Sequence, residues 1–385
     1  MTTGESKLYD SKIEADKAVL VGVGVRTNID EASLEELASL CATCNIHEVG
    51  RIVQNRDDVD VTYFVGKGKV DEIKGMVNDT GATAVVFDVE LSGSKQRNLE
   101  QVLEVPVLDR SRVILDIFAQ RAQSMEGKLQ VELAQLKYNL PRLIGSGGLM
   151  SKMRSAVGMR GPGEKKLEMD KRKIKDDIAD LEKQLRKIAQ TRSLNKNLAN
   201  KSGKSKVCLV GYTNSGKSTL LNTMAKAGVL AEDKLFATLD PKTANIYIEP
   251  PPPEDGAEVT EYVPGVQVLL TDTVGFINKL PHEFINAFES TLDEARFADL
   301  LLHVVDVSNE KYMDQIRVVE EVLEKIGADT VPQIYVLNKI DCLAPIGKSM
   351  IKQEFAEKQH ALVSAKENTG VEELKWKILT GLKEI

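Results

Sequence analysis

Lys217 and Ser218 close the octapeptide Gly211-Tyr212-Thr213-Asn214-Ser215-Gly216-Lys217-Ser218, a G-x-x-x-x-G-K-[ST] pattern directly after the apolar run Val207-Cys208-Leu209-Val210. Such a pattern handles phosphate. Its glycines let backbone N–H groups turn toward a β-phosphate at a helix N-terminus, the Lys217 ammonium suits the β and γ oxygens, and the Ser218 hydroxyl suits Mg2+. A strand before it and a helical run from Thr219 to Lys226 after it are the context the pattern requires. Asp272-Thr273-Val274-Gly275 ends a second apolar run, Val268 to Leu270. That placement predicts Asp272 as a holder of Mg2+ through water and the Gly275 N–H as a γ-phosphate contact.

Base choice follows from Asn338-Lys339-Ile340-Asp341. A carboxylate at Asp341 accepts from guanine N1–H and N2–H2, groups that adenine does not offer in that arrangement, and a buried acceptor left unpaired is penalised. Asn338 and Lys339 support the loop and pack on the base, and the Ala365 N–H in Ser364-Ala365-Lys366 suits O6. Four motifs in this order predict GTP and GDP as ligands and hydrolysis of GTP to GDP and phosphate. Between the first and third, Phe236-Ala237-Thr238-Leu239-Asp240 offers a threonine to complete the Mg2+ shell while the γ-phosphate is present, and Thr243 in Asp240-Pro241-Lys242-Thr243 is its rival. Lys217, Thr238 and Gly275 are the candidate catalytic groups. Phe276 follows Gly275, where many GTPases carry a water-orienting glutamine. Hydrolysis is therefore expected to be slow alone, with rearrangement or a partner supplying the missing group.

These residues need a doubly wound sheet. Apolar runs at Val207–Val210, Ala244–Ile248, Val266–Leu270, Leu300–Val307, Gln333–Leu337 and Ala361–Val363 alternate with helical patterns, which predicts a mostly parallel sheet over 201–385. Pro250 to Pro253 reads as a stiff loop between two of these strands. The N-terminal part, residues 1–110, shows a similar alternation on a smaller scale. Val19–Val25, Glu48–Val53, Ala84–Phe87 and Val105–Leu108 read as strands, with helices at Leu34–Cys41 and Gly68–Val77, a second α/β layer. Gly66-Lys67-Gly68-Lys69 lacks the G-K-[ST] ending and reads as a strand-to-helix turn.

Between the two layers, over 111–200, lie two amphipathic stripes. Ile114, Phe118, Ala122, Met125, Leu129, Leu133, Leu136 and Leu140 recur at spacings of three and four and predict one helix from Arg112 to Leu140. Leu167, Ile174, Ile178, Leu181, Leu185 and Ile188 predict a second from Glu164 to about Leu198, long enough at ~1.5 Å per residue to reach roughly 50 Å. Packed antiparallel they make a helical hairpin. Its tip loop, 145–163, holds six glycines and the basic residues Lys152, Arg154 and Arg160. Residues 141–175 carry ten Lys and Arg against three Asp and Glu. A basic, glycine-rich tip reads as a place where nucleic-acid phosphates are met, and by composition alone equally as a solvated loop. The polar stretch Lys196–Lys206 reads as the linker into the last domain.

Composition narrows the setting. Hydrophobic residues at 42% and charged residues at 28% of 385 match a soluble globular chain of two or three domains. A net charge of -7 argues against a chain that coats nucleic acid over its whole surface, and DNA is not an expected partner. Apolar stretches such as Ala18–Val25 fall short of the ~20 residues of a membrane span, and the first residues lack an apolar signal core. A cytoplasmic monomer is expected. Cys41, Cys44, Cys208 and Cys342 are too sparse for a disulfide framework. Cys41-x-x-Cys44 with His47 nearby reads as two small semi-buried thiols at a helix end, because zinc sites want a second ligand pair.

These stretches together resemble the HflX family of translational GTPases over nearly the whole chain. Beyond the general motifs, the likeness rests on Val65-Gly66-Lys67-Gly68-Lys69-Val70, Leu91 with Gln96-Arg97-Asn98-Leu99-Glu100, Val107-Leu108-Asp109-Arg110, Glu126 to Tyr138, Arg160-Gly161-Pro162-Gly163-Glu164 and Phe236-Ala237-Thr238-Leu239-Asp240. The resemblance implies an N-terminal α/β subdomain, a long antiparallel helical hairpin and a Ras-like G domain. It implies nucleotide contacts from 211 to 219, 236 to 240, 272 to 275, 338 to 341 and 364 to 366, with Mg2+ at Ser218 and Thr238 in preference to Thr243. It also implies binding to the large ribosomal subunit and its rRNA, with ribosome splitting or rescue under stress in some members. On that reading Lys152, Arg154, Arg160, Lys165 and Lys166 are the candidate rRNA contacts. Asn214 matches the position used by potassium-dependent relatives of this G domain, so K+ is a candidate cofactor. The chain ends at Ile385, soon after Ser364-Ala365-Lys366, and the separate C-terminal domain of longer members is not expected. The rival from another class is a GTP-regulated protein-interaction module acting in signalling or on a membrane protease.

Overall fold

The computed structural model describes residues 16–26, 29, 31–143, 162–199, 204–225, 235–236, 241–250, 264–279 and 289–383. Most of the predicted tip loop, with Lys152, Arg154 and Arg160, lies outside them, as do Thr238 and Pro251 to Pro253. The chain divides into two compact units. One extends to Gln120 and takes in Lys128–Gln184; the other comprises Arg121–Gly127 and the chain from Leu185 onward.

The first unit is built on a four-stranded sheet of order β2-β1-β3-β4, formed by β1 (Lys17–Val25), β2 (His47–Arg56), β3 (Ala84–Phe87) and β4 (Val107–Asp109). Every pairing is parallel. Parallel strands need covering on both faces, and their residues are apolar in runs for that reason. Helix α1 (Glu31–Thr43) lies against β1 and β2. Helices α2 (Lys67–Thr80) and α3 (Gly93–Leu103) bury Val70, Ile73, Val77, Leu99 and Leu103 with Val19, Val21, Val85 and Phe87. Gly66-Lys67-Gly68-Lys69 is the strand-to-helix turn that opens α2, with the Gly66 N–H held by Gln54 Oε1 at 2.9 Å. Cys41 is buried and Cys44 half-buried, its Sγ 3.7 Å from the Val113 carbonyl, and burial pushes both thiols up to about 12. Neither is poised as a thiolate. Among the described residues no group of three or more His, Cys, Asp or Glu could hold a metal ion.

The single helix predicted over Arg112–Leu140 is two helices, α4 (Arg110–Arg121) and α5 (Met125–Leu143). Ser124 is the cause: its Oγ accepts the Gly127 N–H at 2.9 Å, an N-cap that starts a new helix. Met125, counted in the apolar stripe, is exposed. The last turn of α5 is fastened to the end of β4. Asp109 accepts hydrogen bonds from Tyr138 Oη at 2.9 Å, Arg142 Nη2 at 2.8 Å and the Leu91 N–H at 3.1 Å, and the Arg142 guanidinium lies 3.4 Å over the Tyr138 ring. A Cβ on Gly93 would stand 2.6 Å from Arg142 Cα, so the start of α3 needs a glycine there.

Helix α6 runs from Pro162 to Ala199, 38 residues and roughly 57 Å at 1.5 Å per residue. Pro162 and Gly163, assigned above to the tip loop, are its first turn, where proline's fixed φ and missing N–H cost nothing. Ile174 and Leu181 are buried, and Lys137 Nζ meets Glu182 Oε1 at 2.8 Å across α5 and α6. At the other end the expected linker Lys196–Lys206 is shorter than predicted. Lysine, leucine and alanine are good helix formers whether or not they face water, so α6 continues through them.

The second unit holds a six-stranded sheet of order β10-β9-β8-β5-β7-β6. Its strands are β5 (Ser205–Gly211), β6 (Lys242–Ile248), β7 (Val266–Asp272), β8 (Leu300–Asp306), β9 (Gln333–Asn338) and β10 (His360–Leu362). Only β6, at the edge, runs antiparallel to its neighbour β7. Among the described residues its helices are α7 (Lys217–Ala225), α8 (Glu289–Arg296), α9 (Tyr312–Lys325), α10 (Pro345–Glu354) and α11 (Val371–Gly381). Val207, Leu209, Leu270, Leu302 and Val336 join Leu220, Leu221, Leu374 and Ile378 in one core. Strand order reverses at β5, so the carboxyl end of β5 opens at the switch point where ligands of such sheets bind. Among the described residues no helix is long and apolar enough to cross a membrane.

Candidate functional site

Residues 211–218 turn from the end of β5 into the start of α7. Gly211 at φ 152° and Gly216 at φ 94° take backbone conformations that side chains disfavour, and Asn214 is left-handed at φ 60°. Space is as tight as conformation: a Cβ on Gly211 would lie 2.3 Å from the Val304 carbonyl oxygen, and one on Gly216 2.2 Å from Asn338 Nδ2. Lys217 reaches back along the loop and donates to the carbonyls of Gly211 at 3.0 Å and Tyr212 at 2.8 Å. Burial pushes its ammonium down to about 8, against the pull of the Asp272 carboxylate. Two further hydroxyls in the loop, Thr213 Oγ1 and Ser215 Oγ, are buried and find no hydrogen-bond partner among the described residues. A loop of this kind is a socket for phosphate oxygens, which would satisfy such donors.

Asp272, the last residue of β7, is fully buried, and Ser218 Oγ donates to its Oδ2 at 2.6 Å. A hydroxyl and a carboxylate in contact are the hard oxygen donors that Mg2+ takes. The strand register brings the start of β6 to the same place, with Lys242 opposite Asp272. Thr243 lies inside β6, its Oγ1 3.1 Å from Thr271 Oγ1. Thr273 Oγ1 donates to the Leu209 carbonyl at 2.7 Å, tying the chain after β7 to β5. Gly275 follows so close to the loop that a Cβ would stand 2.9 Å from Thr213 Cα and 3.0 Å from Lys217 Nζ.

The base-side motifs meet the loop through Asn338. Its Nδ2 donates to the Ser215 carbonyl at 2.8 Å, and its Oδ1 accepts the Ala365 N–H at 3.0 Å. The Ala365 amide, expected above to serve guanine O6, is thus engaged with Asn338. Lys339 stands in the left-handed region at φ 64°, its Nζ 2.7 Å from Asp306. Ser364 Oγ donates to Asp341 Oδ1 at 2.6 Å, and this bond holds the carboxyl below its ordinary range. The acceptor stays ionised at neutral pH.

Known sequences agree with this geometry. Residues 31–119 match the family described as GTP-binding GTPase N-terminal, 121–197 its middle region, and 206–339 the 50S ribosome-binding GTPase family. GTPase HflX of Caldanaerobacter subterraneus subsp. tengcongensis is 43% identical over 363 residues, 94% of this chain and 79% of the relative. GTPase HflX of Escherichia coli K12 is 40% identical over 367 residues, 95% of this chain and 83% of the relative. The chain belongs to the HflX family of GTPases. A crystal structure of SsGBP with GDP covers 96% of this chain and 99% of its own at 24% identity and a TM-score of 0.50, a likeness of fold.

As an HflX GTPase the chain binds GTP and GDP and hydrolyses GTP. Lys217, Ser218, Asp272 and Gly275, predicted as phosphate and Mg2+ residues, stand together at the ends of β5 and β7. Asn338, Asp341, Ser364 and Ala365 form one hydrogen-bonded group at the ends of β9 and β10. Phe236 is buried and left-handed, and Ala237 to Asp240 lie outside the described residues. Lys165 and Lys166 fall in α6. Sequence reasoning missed Thr223, whose Oγ1 donates to the Ala365 carbonyl at 2.8 Å, and it placed Tyr212 among the nucleotide residues without foreseeing that its Oη accepts the Asn278 N–H at 2.8 Å. Tyr212 stands at a variable position of the octapeptide and Thr223 in the helix after it, and no pattern names either of these bonds.

Proposed function

We propose that this HflX GTPase is a switch that binds the large ribosomal subunit through its N-terminal unit and helical arm, and splits or rescues ribosomes under stress. The observation that carries this reading is charge. Residues 141–175 hold an excess of seven positive charges in a chain whose net charge is -7. The family match of 206–339 to a 50S ribosome-binding GTPase supports the same partner. Arg154, Arg160, Lys152, Lys165 and Lys166 are the residues we assign to rRNA phosphates.

In the G domain, 201–385, residues 211–219, 236–240, 272–275, 338–341 and 364–366 hold the nucleotide. Ser218 and Thr238 would hold Mg2+, with Asp272 acting through water, and the ion would supply positive charge against the phosphate oxygens. The register of Lys242 opposite Asp272 and the contact of Thr243 with Thr271 support the choice of Thr238 over Thr243. Lys217 neutralises phosphate charge and Gly275 presents its N–H to the γ-phosphate. Asn214, exposed and left-handed in the loop, is the residue we assign to K+. Phe276 is buried and carries no group that can orient water, so hydrolysis alone is slow and a partner raises it.

Co-sedimentation with large subunits and whole ribosomes tests the reading, with a non-hydrolysable GTP analogue or GDP over a KCl or NaCl series. Pelleting with the analogue, a steep salt dependence and ribosome-stimulated hydrolysis that is faster in K+ are expected. Absence from both particles with either nucleotide would overturn it and leave the protein-interaction module standing.

A further inference from the structure

The segment after Gly275 is fastened to the phosphate loop by bonds that no motif requires. Phe276 donates its N–H to the Gly211 carbonyl at 3.1 Å and its carbonyl accepts the Thr213 N–H at 2.7 Å, so that Tyr212 and Phe276 form an isolated parallel bridge beyond the strand ends. Two residues on, the Asn278 N–H donates to Tyr212 Oη at 2.8 Å. Tyr212 is 7% exposed and Phe276 2%, so both rings are out of water. Gly275, just before these bonds, has no room for a side chain: a Cβ there would stand 2.9 Å from Thr213 Cα and 3.0 Å from Lys217 Nζ. Beneath it Lys217 is buried, with its Nζ donating to the carbonyls of Gly211 and Tyr212.

This closure bears on catalysis. A γ-phosphate needs the Lys217 ammonium and the Gly275 N–H together. Here the Thr213 N–H is engaged by Phe276, and a Cβ on Gly275 would stand 3.0 Å from Lys217 Nζ, which leaves little room for a phosphate oxygen between the two. Moving Gly275 requires the bonds at Phe276 and Asn278 to give way. The bonds at Phe276 are backbone to backbone, whatever its side chain. The bond at Asn278 depends on the residue type at 212, because only a side chain with an acceptor at that reach can make it. A glutamine at 276 would bring its own water-orienting group, but phenylalanine does not.

We propose that Tyr212 is a positioning residue for GTP hydrolysis: its hydroxyl pins the Gly275–Asn278 segment closed on the phosphate loop and restrains the unaided rate. The pin acts on a closed–open equilibrium of that segment, and a partner that stimulates hydrolysis works by opening it.

Tyr212→Phe keeps the ring and deletes the acceptor. Loss of one neutral hydrogen bond shifts such an equilibrium by a factor of roughly 2 to 10. Two measurements on the full chain read it: hydrogen exchange of the Asn278 amide, and single-turnover hydrolysis of GTP with Mg2+ and no partner. Both are expected to rise together by that factor. Faster exchange with an unchanged or slower rate would overturn the proposal, since a bond that only shaped the site would lower activity when lost. Unchanged exchange would overturn it as well, by showing that the bond does not hold the segment. Thermal melting of the variant separates either result from general loss of fold.

Discussion

Lys217 shows how one side chain carries a pH dependence of its own. Its ammonium is buried, and desolvation lowers its pKa from 10.5 to about 8. A lysine whose folded value lies below its unfolded value has released a proton in the folded chain that the unfolded chain still holds, between about pH 8 and 10.5. The unfolded state binds more protons in that window, so this group's contribution to stability rises with pH there. Below about 8 both states are protonated and the contribution is flat and unfavourable. Phosphate oxygens reverse the balance by favouring the charged form. Binding of GDP at about pH 9 is therefore expected to take up a proton, approaching one per site, and at pH 7 almost none. Calorimetry in two buffers of different ionisation enthalpy measures this. Equal apparent enthalpies in both buffers at high pH would show that Lys217 is not the depressed group.

At the scale of elements, the clamp at the end of α5 has the clearest consequence. Asp109 is almost fully buried, and Arg142 is the charged partner that meets it, with Glu90 3.8 Å from the same guanidinium. Arg142→Ala is expected to cost about 3 kcal/mol, the scale for removing one partner of a buried pair, because Asp109 keeps only neutral donors there. Thermal unfolding should show the lower transition falling by several degrees, and an unchanged melting profile would count against the clamp. None of this clamp was legible beforehand, because Asp109, Tyr138 and Arg142 are joined by the fold and not by spacing. The strands were legible: Val19–Val25, Ala84–Phe87 and Gln333–Leu337 are apolar runs short enough for strands, and each proved to be one. Helix α3 was missed because only Leu99 and Leu103 are buried, too little to show a period. The break at 122–124 was hidden for the opposite reason, since apolar residues keep their spacing across it. In the site the four motifs were readable because phosphate and guanine restrict residue type at fixed positions. The bonds made by the Tyr212 and Thr223 hydroxyls were not, since a hydroxyl that meets a backbone group leaves no pattern.

For the whole molecule, the uneven distribution of charge limits how it can meet RNA. With seven excess positive charges in 141–175, the remainder of the chain carries -14 and is repelled by phosphate. On the proposed ribosomal reading, attraction is concentrated on the arm and its strength varies steeply with salt. Each phosphate contact removed reduces the release of counterions, and hence the slope of log affinity against log salt, by roughly 0.7 to 0.9. Joint replacement of Lys152, Arg154 and Arg160 by alanine is expected to lower the slope for binding to large subunits by about 2 to 3. The same change in net charge made at Lys325, Lys352 and Lys383, which are exposed in the second unit, is the control and should leave the slope near that of the parent. An equal fall in both triples would assign the effect to overall charge and remove the arm as the RNA contact. A fall confined to the first triple would locate the phosphates at the tip, where Lys152, Arg154 and Arg160 lie among six glycines whose lack of side chains lets the backbone approach a folded RNA closely.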